Sequence, residues 1–278
     1  MKRRILVRVL ALLLGIIALS MIPSLLLALL DQDTNSVRAF LYPLIVCISG
    51  AVLALGFGKS STISFNAGDG FLLVSLAWFL TSILGSIPFM ITGVTPNPVD
   101  ALFESVSGFT TTGATIFGEV EKLPRAILFW RAMTHWLGGM GIVVLTVALV
   151  PLLGVGGFQL LKAETPGPEK DKITPKVTAT AKILWFIYIG LTALEVVLLM
   201  IGGMNWFDAV THAFATMATG GFGTKNTSIA YYNSAWIDWV CTIFMILAGM
   251  NFSLYYRIFQ GKLQDLVKNT ELKVYLAI

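Results

Sequence analysis

Two stretches of the chain, DALFESVSGFTTTGAT at residues 100–115 and DAVTHAFATMATGGFG at residues 208–223, align without a gap at a constant offset of 108. In each stretch an acidic residue opens a helix-compatible segment, which ends in a run of threonine and glycine. Downstream, GGMG at 138–141 corresponds to AGMN at 248–251. The pattern predicts a repeated unit of helix, short helix, loop and helix.

The segments around this repeat are long and apolar. The 278-residue chain is 56% hydrophobic and only 12% charged, which excludes a water-soluble globule. Six stretches approach the roughly 20 residues that a helix needs to cross a bilayer. We therefore predict an all-α polytopic membrane protein. The predicted spans are 5–30, 39–57, 70–92, 126–153, 181–204 and 235–256.

The distribution of positive charge predicts the orientation. With the N-terminus in the cytoplasm and the six spans alternating, 14 of the 19 basic residues fall on the inner side, as the positive-inside rule requires. Arg131 is among the five on the outer side. The net charge of +4 is then a matter of topology, and no nucleic-acid partner is expected.

Two segments, 98–117 and 205–224, are too short to cross the membrane and too apolar for ordinary loops. A re-entrant short helix followed by a loop explains them, because non-helical backbone at membrane depth needs protein or a water-filled cavity around it. The alternative is an amphipathic helix on the surface. Asp100 and Asp208 are expected to cap the two short helices, whose partly negative C-terminal ends would favour a cation.

The loops themselves are TTGAT at 111–115 and TGGFG at 219–223. Glycine permits backbone angles that point carbonyls to one side, and a row of inward carbonyls replaces the water shell of potassium in TVGYG filters. Gly113 and Gly221 occupy the central glycine of that pattern, but Thr115 stands where its second glycine would be. The departure predicts weaker discrimination between potassium and sodium.

Three motifs together, SVSGFTTTGATIF, HWLGGMGIVVL and ATMATGGFGT, resemble the TrkH subunit of the Trk/Ktr potassium uptake systems of bacteria. The resemblance implies two extra N-terminal helices and four helix, pore-helix, filter-loop, helix repeats of the potassium-channel-like superfamily around one pore. This chain shows the extra helices and two repeats. The expected units are N-terminal helices 1–69, first repeat 70–157, cytoplasmic linker 158–180, second repeat 181–260 and the start of a third repeat 261–278.

The function that the resemblance implies is passive or weakly coupled (symport) potassium entry across the bacterial inner membrane, without enzymatic activity. Potassium is the transported metal ion, expected above all at the carbonyls of Thr111, Thr112, Gly220 and Gly221. The expected coordinating residues are Thr111, Thr112, Gly113, Thr219, Gly220 and Gly221. The expected supporting residues are Thr110, Ala114, Thr115, Phe222 and Gly223.

One pore needs four filter strands, so partners are expected. The chain is expected to be part of a longer protein, or to pair with a second half or a second copy of itself. The resemblance further implies a homodimer in membrane lipid and a cytosolic, nucleotide-binding, TrkA-like regulatory subunit. This chain itself is expected to bind no nucleotide, because Gly154, Gly156 and Gly157 are spaced wrongly for a GxGxxG loop.

Other interpretations remain open at this point. A secondary transporter of another substrate would also use broken helices, although two repeats of the same orientation disfavour inverted architecture. An enzyme would have to combine Glu195 with His135 or His212, which lie on different elements. Glu195, inside the fifth span, either bonds to a neighbouring helix or takes part in ion coupling.

Three further features have two interpretations each. Arg131 and His135, one helical turn apart, either face the outer vestibule or pin a pore helix. Glu104 and His212 hold equivalent positions on the two short helices and are expected to brace them rather than touch an ion. The glycines at 138, 139 and 141 favour close helix packing over a hinge.

Overall fold

The computed structural model describes residues 2–56, 67–141, 177–259 and 269–277. All regular secondary structure in these ranges is helical, which confirms the predicted all-α class. Short 3-10 turns at Val120–Lys122 and Ser228–Tyr232 lie in the connections. The helices are α1 (Lys2–Leu19), α2 (Ile22–Leu30), α3 (Thr34–Leu55), α4 (Ala67–Ile91), α5 (Pro98–Phe109), α6 (Arg125–Gly139), α7 (Val177–Ile201), α8 (Trp206–Met217), α9 (Ala235–Gly249), α10 (Phe252–Phe259) and α11 (Thr270–Ala277).

Within the described ranges, four of the predicted spans are helical segments long and apolar enough to cross a membrane. The first of them joins α1 and α2 through a turn at Ser20 and Met21. Of the predicted span 126–153, only the part in α6 is described, and residues 142–153 lie outside the described residues. The four segments are Arg4–Leu30, Thr34–Leu55, Asp69–Ile91 and Lys182–Ile201.

The sixth predicted span, 235–256, is not one continuous helix. It breaks at Met250, which adopts an extended conformation (φ −73°, ψ 151°) between α9 and α10. The hydroxyl of Tyr255 donates to the carbonyl of Leu247 at 2.6 Å. This side chain satisfies a carbonyl that the interrupted helix leaves without its usual partner, so an apolar pattern alone could not reveal the break.

Both short re-entrant segments are present as helices, α5 and α8, each followed by a loop. Their N-caps differ from the prediction. Asn97 accepts a hydrogen bond from the amide of Val99 at 3.0 Å, and Asn205 accepts one from the amide of Asp208 at 2.9 Å. The capping prediction for Asp100 and Asp208 was therefore wrong. Both aspartates lie in the first helical turn, where they still complement the positive end of the helix.

The two short helices are packed inside the protein rather than spread on its surface. Buried residues of α5 include Ala101, Ser105 and Phe109, and those of α8 include Ala209 and Ala213. Helix α6 contacts both short helices. One apolar core forms from α1 to α6 together with Phe207 of α8, and a second forms from α7 to α9 together with Met140 after α6. Trp136 of α6 packs against both cores.

Close packing also accounts for the glycines of α6. A methyl group on Gly138 would overlap the carbonyl of Phe109, and one on Gly139 would lie 2.7 Å from the Cα of Ala218. Phe109 is the last residue of α5, and Ala218 is the C-cap residue that follows α8. The packing interpretation is confirmed for both glycines, which bring α6 against the ends of the two short helices.

The predicted division of the chain into five units stays a prediction. The linker 158–180 lies mostly outside the described residues, which resume at Val177. At the far end of the chain, α11 packs on α9 through the hydroxyl of Tyr275, which donates to the carbonyl of Ile246 at 3.0 Å.

Candidate functional site

The first candidate loop starts where α5 ends. The amide of Thr111 donates to the carbonyl of Gly108 at 3.1 Å, and the amide of Thr112 donates to that of Ser107 at 2.9 Å. This pair of bonds is a Schellman motif, which satisfies the last carbonyls of a helix through a residue in the left-handed conformation. Thr111 is that residue, with φ of 54°.

The second loop repeats this geometry bond for bond. At the end of α8, the amide of Thr219 donates to the carbonyl of Thr216 at 2.8 Å, and the amide of Gly220 donates to that of Ala215 at 2.9 Å. Thr219 has φ of 54°. The offset of 108 found in the sequence therefore relates the backbone of the two loops as well.

Left-handed residues alternate with others along both loops. Thr111 and Thr219 have positive φ, the next residue of each loop does not, and Gly113 (75°) and Gly221 (93°) are positive again. This alternation rotates successive peptide planes and allows their carbonyls to face one side. A left-handed threonine is a backbone outlier because of its β-branched side chain, and such strain concentrates at functional sites.

Each loop has one open side and one side packed on protein. Thr112, Ala114, Thr219 and Gly221 are exposed, whereas Phe222 is buried. Gly113, Thr111 and Gly220 are partly exposed. The loop residues therefore remain at least partly accessible, and the buried Phe222 packs the second loop on protein.

His135 of α6 lies behind both loops. Its Nδ1 donates to the carbonyl of Gly108 at 2.8 Å, and its ring stacks on Phe222 at a centroid distance of 4.0 Å and an angle of 7°. A methyl group on Gly220 would overlap the imidazole. His135 thus joins the first short helix to the second loop, as the pinning interpretation expected.

A buried ion pair stands beside the first loop. The Nε of Arg131 donates to Oε1 of Glu104 at 2.7 Å, and the two side chains are 1% and 0% exposed. The hydroxyl of Thr115 donates to Glu104 at 3.0 Å, and the amide of Ile116 donates to its other oxygen at 3.1 Å. The Nη2 of Arg131 donates to the Thr115 hydroxyl at 3.1 Å.

The same guanidinium reaches the second loop. Nη1 of Arg131 donates to the carbonyl of Gly223 at 3.3 Å, and its Cζ lies 4.2 Å from the ring centroid of Phe222. The vestibule interpretation of Arg131 was therefore wrong, since this side chain is buried between the loops. The alternative interpretation, that Arg131 pins the short helix, agrees with its bond to Glu104, but no sequence pattern indicated its contact with the second loop.

Hydroxyl groups secure the start and middle of the first loop. Ser107 donates to the carbonyl of Ala114 at 2.6 Å. The hydroxyl of Thr110 donates to the carbonyl of Val106 at 2.7 Å and lies 2.8 Å from the hydroxyl of Thr112. The predicted supporting residues Thr110 and Ala114 are thus part of a bonded loop.

The second loop is tied to the N-terminal end of α8. Asp208 accepts hydrogen bonds from the hydroxyl of Thr224 at 2.7 Å and from the amide group of Asn205 at 2.8 Å. Burial acts to raise the pKa of Asp208, but these hydrogen bonds and the charge of Lys225 outweigh it and leave the pKa lowered. Asp208 is therefore an ionised anchor for the segment that follows the loop.

The equivalent residues Glu104 and His212 were expected to brace the short helices, and each of them instead contacts the loop that follows its helix. His212 lies edge-on to Tyr232, with ring centroids 5.7 Å apart. A methyl group on Gly223 would come within 3.2 Å of its Cε1. The repeat therefore conserves the bracing position while its chemistry changes from a charged pair to a packed ring.

The sequence did not predict a contact between the α5–α6 connection and the α8–α9 connection. The amide oxygen of Asn226 accepts a hydrogen bond from the amide of Val120 at 2.8 Å, and the amide of Asn226 donates to Glu121 at 3.1 Å. These partners are more than one hundred residues apart in the chain, so no local pattern marks them. The contact joins the two repeats through the connections that follow their loops.

Glu195 lies apart from this network. It is 0% exposed, and neither carboxylate oxygen has a hydrogen-bond partner of normal geometry, although Thr216 lies beside it. His135, His212 and Glu195 stand on three different helices. In the part of the chain that the structure describes, no three His, Cys, Asp or Glu side chains gather to form a metal site.

Comparisons with known proteins identify the family. Residues 35–271 match the family model of TrkH, described as a cation transport protein. The Trk system potassium uptake protein TrkH of Halomonas elongata is 45% identical over 92% of this chain and 53% of its own length. TrkH of Escherichia coli K12 is 39% identical over 100% of this chain and 58% of its own length.

A solved structure extends the likeness to three dimensions. The crystal structure of the potassium transporter TrkH from Vibrio parahaemolyticus matches with a TM-score of 0.83 and 35% identity, covering 100% of this chain and 57% of that one. The chain thus spans little more than half the length of the relatives that it matches. On the family model, the sequence identity and the shared fold, this chain belongs to the TrkH cation transport protein family.

Proposed function

We propose that this chain supplies two filter loops of a pore through which potassium ions enter the cell. The observation that carries the proposal is the pair of loops with equivalent Schellman ends and equivalent left-handed residues. Pre-placed backbone carbonyls can replace the water shell of a potassium ion without a large reorganisation. The relatives named as potassium uptake proteins support potassium over the substrate of another kind of transporter.

The coordinating groups in this proposal are backbone carbonyls of the two loops. Side chains around them serve as anchors, so no bond is made or broken as the ion passes. The negative ends of α5 and α8 favour a cation near the loops. The proposed potassium-binding residues are Thr111, Thr112, Gly113, Thr219, Gly220 and Gly221.

We infer a lower potassium preference than a TVGYG filter provides. Thr115 replaces a glycine of that pattern, and its hydroxyl is engaged by Glu104 and Arg131. The outer end of the first loop is therefore built differently from that of the second, where Gly223 has no side chain. The two loops therefore offer the ion carbonyl oxygens in different positions, which lowers the preference for potassium.

The proposed setting is a bacterial inner membrane with the N-terminus in the cytoplasm, as the charge distribution indicates. Two loops make half of a fourfold pore. We propose that further repeats or a second copy complete the pore, within a homodimer that a cytosolic nucleotide-binding subunit regulates. The relatives' greater length supports further repeats.

Rubidium uptake into cells without other potassium importers tests the function, with the chain expressed from its complete native gene. Gly221→Asp should abolish uptake, because it places a charged side chain at a left-handed position of the filter. Gly190→Ala is the control, since a methyl group there meets no atom within 4 Å. Unchanged uptake in Gly221→Asp at normal protein levels would reject the proposal.

A further inference from the structure

One side chain contacts the outer end of both loops. Arg131 donates through Nε to Glu104, through Nη2 to Thr115 of the first loop and through Nη1 to Gly223 of the second. The three nitrogens of its guanidinium thus serve three different partners. Because the group is planar and rigid, these partners are held in fixed positions relative to one another.

The positive charge of Arg131 is neutralised by the adjacent carboxylate of Glu104. A cation next to a potassium path would repel the permeating ion, and an isolated charge at 1% exposure would be very costly. Glu104 removes both difficulties, because its carboxylate lies 2.7 Å from Nε. What remains at the loops is a set of directed hydrogen-bond donors with no net charge.

The second repeat has no equivalent pair. The residue aligned with Glu104 at the offset of 108 is His212, and the residue aligned with Arg131 at the offset of 110, which relates the following helices, is Cys241. The carbonyl of Gly223 therefore receives its donor from the other repeat. One guanidinium sets the spacing between two loops that belong to different repeats.

We propose that Arg131 is the positioning residue that holds the outer ends of both filter loops in register, and that it thereby sets discrimination between potassium and sodium. The proposal rests on the proposed function of the loops. Discrimination depends on how many carbonyls surround the ion and how well they keep their positions. Loosening the outer ends should increase the passage of sodium, the smaller ion, by more than it reduces the passage of potassium.

The test compares Arg131→Lys with Arg125→Lys in the complete native gene product. Both variants lie on α6, keep the positive charge and replace the planar guanidinium by a single ammonium group. Arg125 differs from Arg131 because it pairs with Asp31 at an exposed position. Rubidium uptake and sodium uptake are measured at matched membrane levels. We expect the ratio of rubidium to sodium uptake to fall several-fold in Arg131→Lys and to stay unchanged in Arg125→Lys.

Thr115→Val serves as a second variant that removes one contact of Arg131 without leaving a buried charge unpaired. We expect the ratio of rubidium to sodium uptake to fall in Thr115→Val too, by less than in Arg131→Lys. Thr115→Val tests the proposal by itself if Arg131→Lys fails to reach the membrane. Equal losses of rubidium and sodium uptake, with the ratio unchanged in Thr115→Val or Arg131→Lys, would overturn the positioning role. Absence of rubidium uptake in the parent chain would instead reject the function of the loops.

Discussion

Gly113 of the first loop lies directly against the carbonyl of Gly220 in the second. A methyl group on Gly113 would overlap that carbonyl oxygen, while a methyl group on Gly221 would meet no atom within 4 Å. The two central glycines of the repeat are thus equivalent in backbone angle but not in surroundings. Substitutions at the two glycines therefore distinguish the effect of steric crowding, present only at Gly113, from that of backbone strain, present at both.

Gly113→Ala should therefore be more damaging than Gly221→Ala. Both variants place a side chain at positive φ, which costs about 1–2 kcal/mol, but only the first also displaces the neighbouring loop. We expect rubidium uptake to fall to background in Gly113→Ala and to be partly retained in Gly221→Ala. Uptake assays at matched expression measure this, and equal defects would show that the loops do not touch in the working pore.

The glycines of α6 lead to a prediction about stability. Gly138→Ala would press on the carbonyl of Phe109, and overpacking of this kind costs about 1–3 kcal/mol. Gly50→Ala in α3 meets no atom within 4 Å and should gain up to about 1 kcal/mol from helix propensity. In thermal unfolding of the purified protein in detergent, the unfolding temperature of Gly138→Ala should lie below that of the parent and that of Gly50→Ala above it.

A Gly138 variant that unfolds at the parent temperature would contradict the close approach of α6 to the end of α5. The hinge interpretation of these glycines would then return. It would predict altered transport with little change in unfolding temperature.

The loops could be predicted because their geometry is local. A Schellman end involves hydrogen bonds within six consecutive residues, so a run of threonine and glycine after a short helix carries most of the information. The exact repeat at the offset of 108 adds a second, independent instance. The identity of the helix caps was missed because Asn97 and Asn205 lie just outside the aligned stretches.

The anchoring network could not be predicted in the same way. Arg131 and Gly223 are 92 residues apart, and no periodicity relates them. The helix break at Met250 was hidden for a different reason. A tyrosine hydroxyl stabilises it, and the span as a whole is apolar although the polar residues Asn251 and Ser253 follow the break.

Asp208 should give the stability of the protein a measurable acid dependence. Its folded-state pKa is lowered, so the ionised form stabilises the fold above the ordinary pKa of about 3.9. That contribution is lost as the pH falls through the lowered folded-state pKa. Thr224→Val removes one donor and should cost about 1–3 kcal/mol at neutral pH.

The unfolding temperatures of parent and Thr224→Val should therefore converge as the pH falls below the ordinary pKa of about 3.9. Thr227→Val, in the exposed part of the same connection, is the matched control and should follow the parent at every pH. A constant difference between parent and Thr224→Val across the pH range would exclude Asp208 as the source of the stabilisation.

Glu104 and Glu195 are both 0% exposed, but their carboxylates differ in their partners. Glu104 is paired with Arg131 at 2.7 Å, whereas both oxygens of Glu195 lack a hydrogen-bond partner of normal geometry. Removing one partner of a buried pair costs about 3–5 kcal/mol, while replacing an unsatisfied polar group by an apolar one of similar size is often neutral or stabilising. Glu104→Met should thus unfold far more easily than the parent, and Glu195→Met should match or exceed it in thermal unfolding. Strong destabilisation by Glu195→Met would show instead that this carboxylate has a partner. In that case, uptake measured across pH in the variant would decide whether the partner is a structural group or a transported cation.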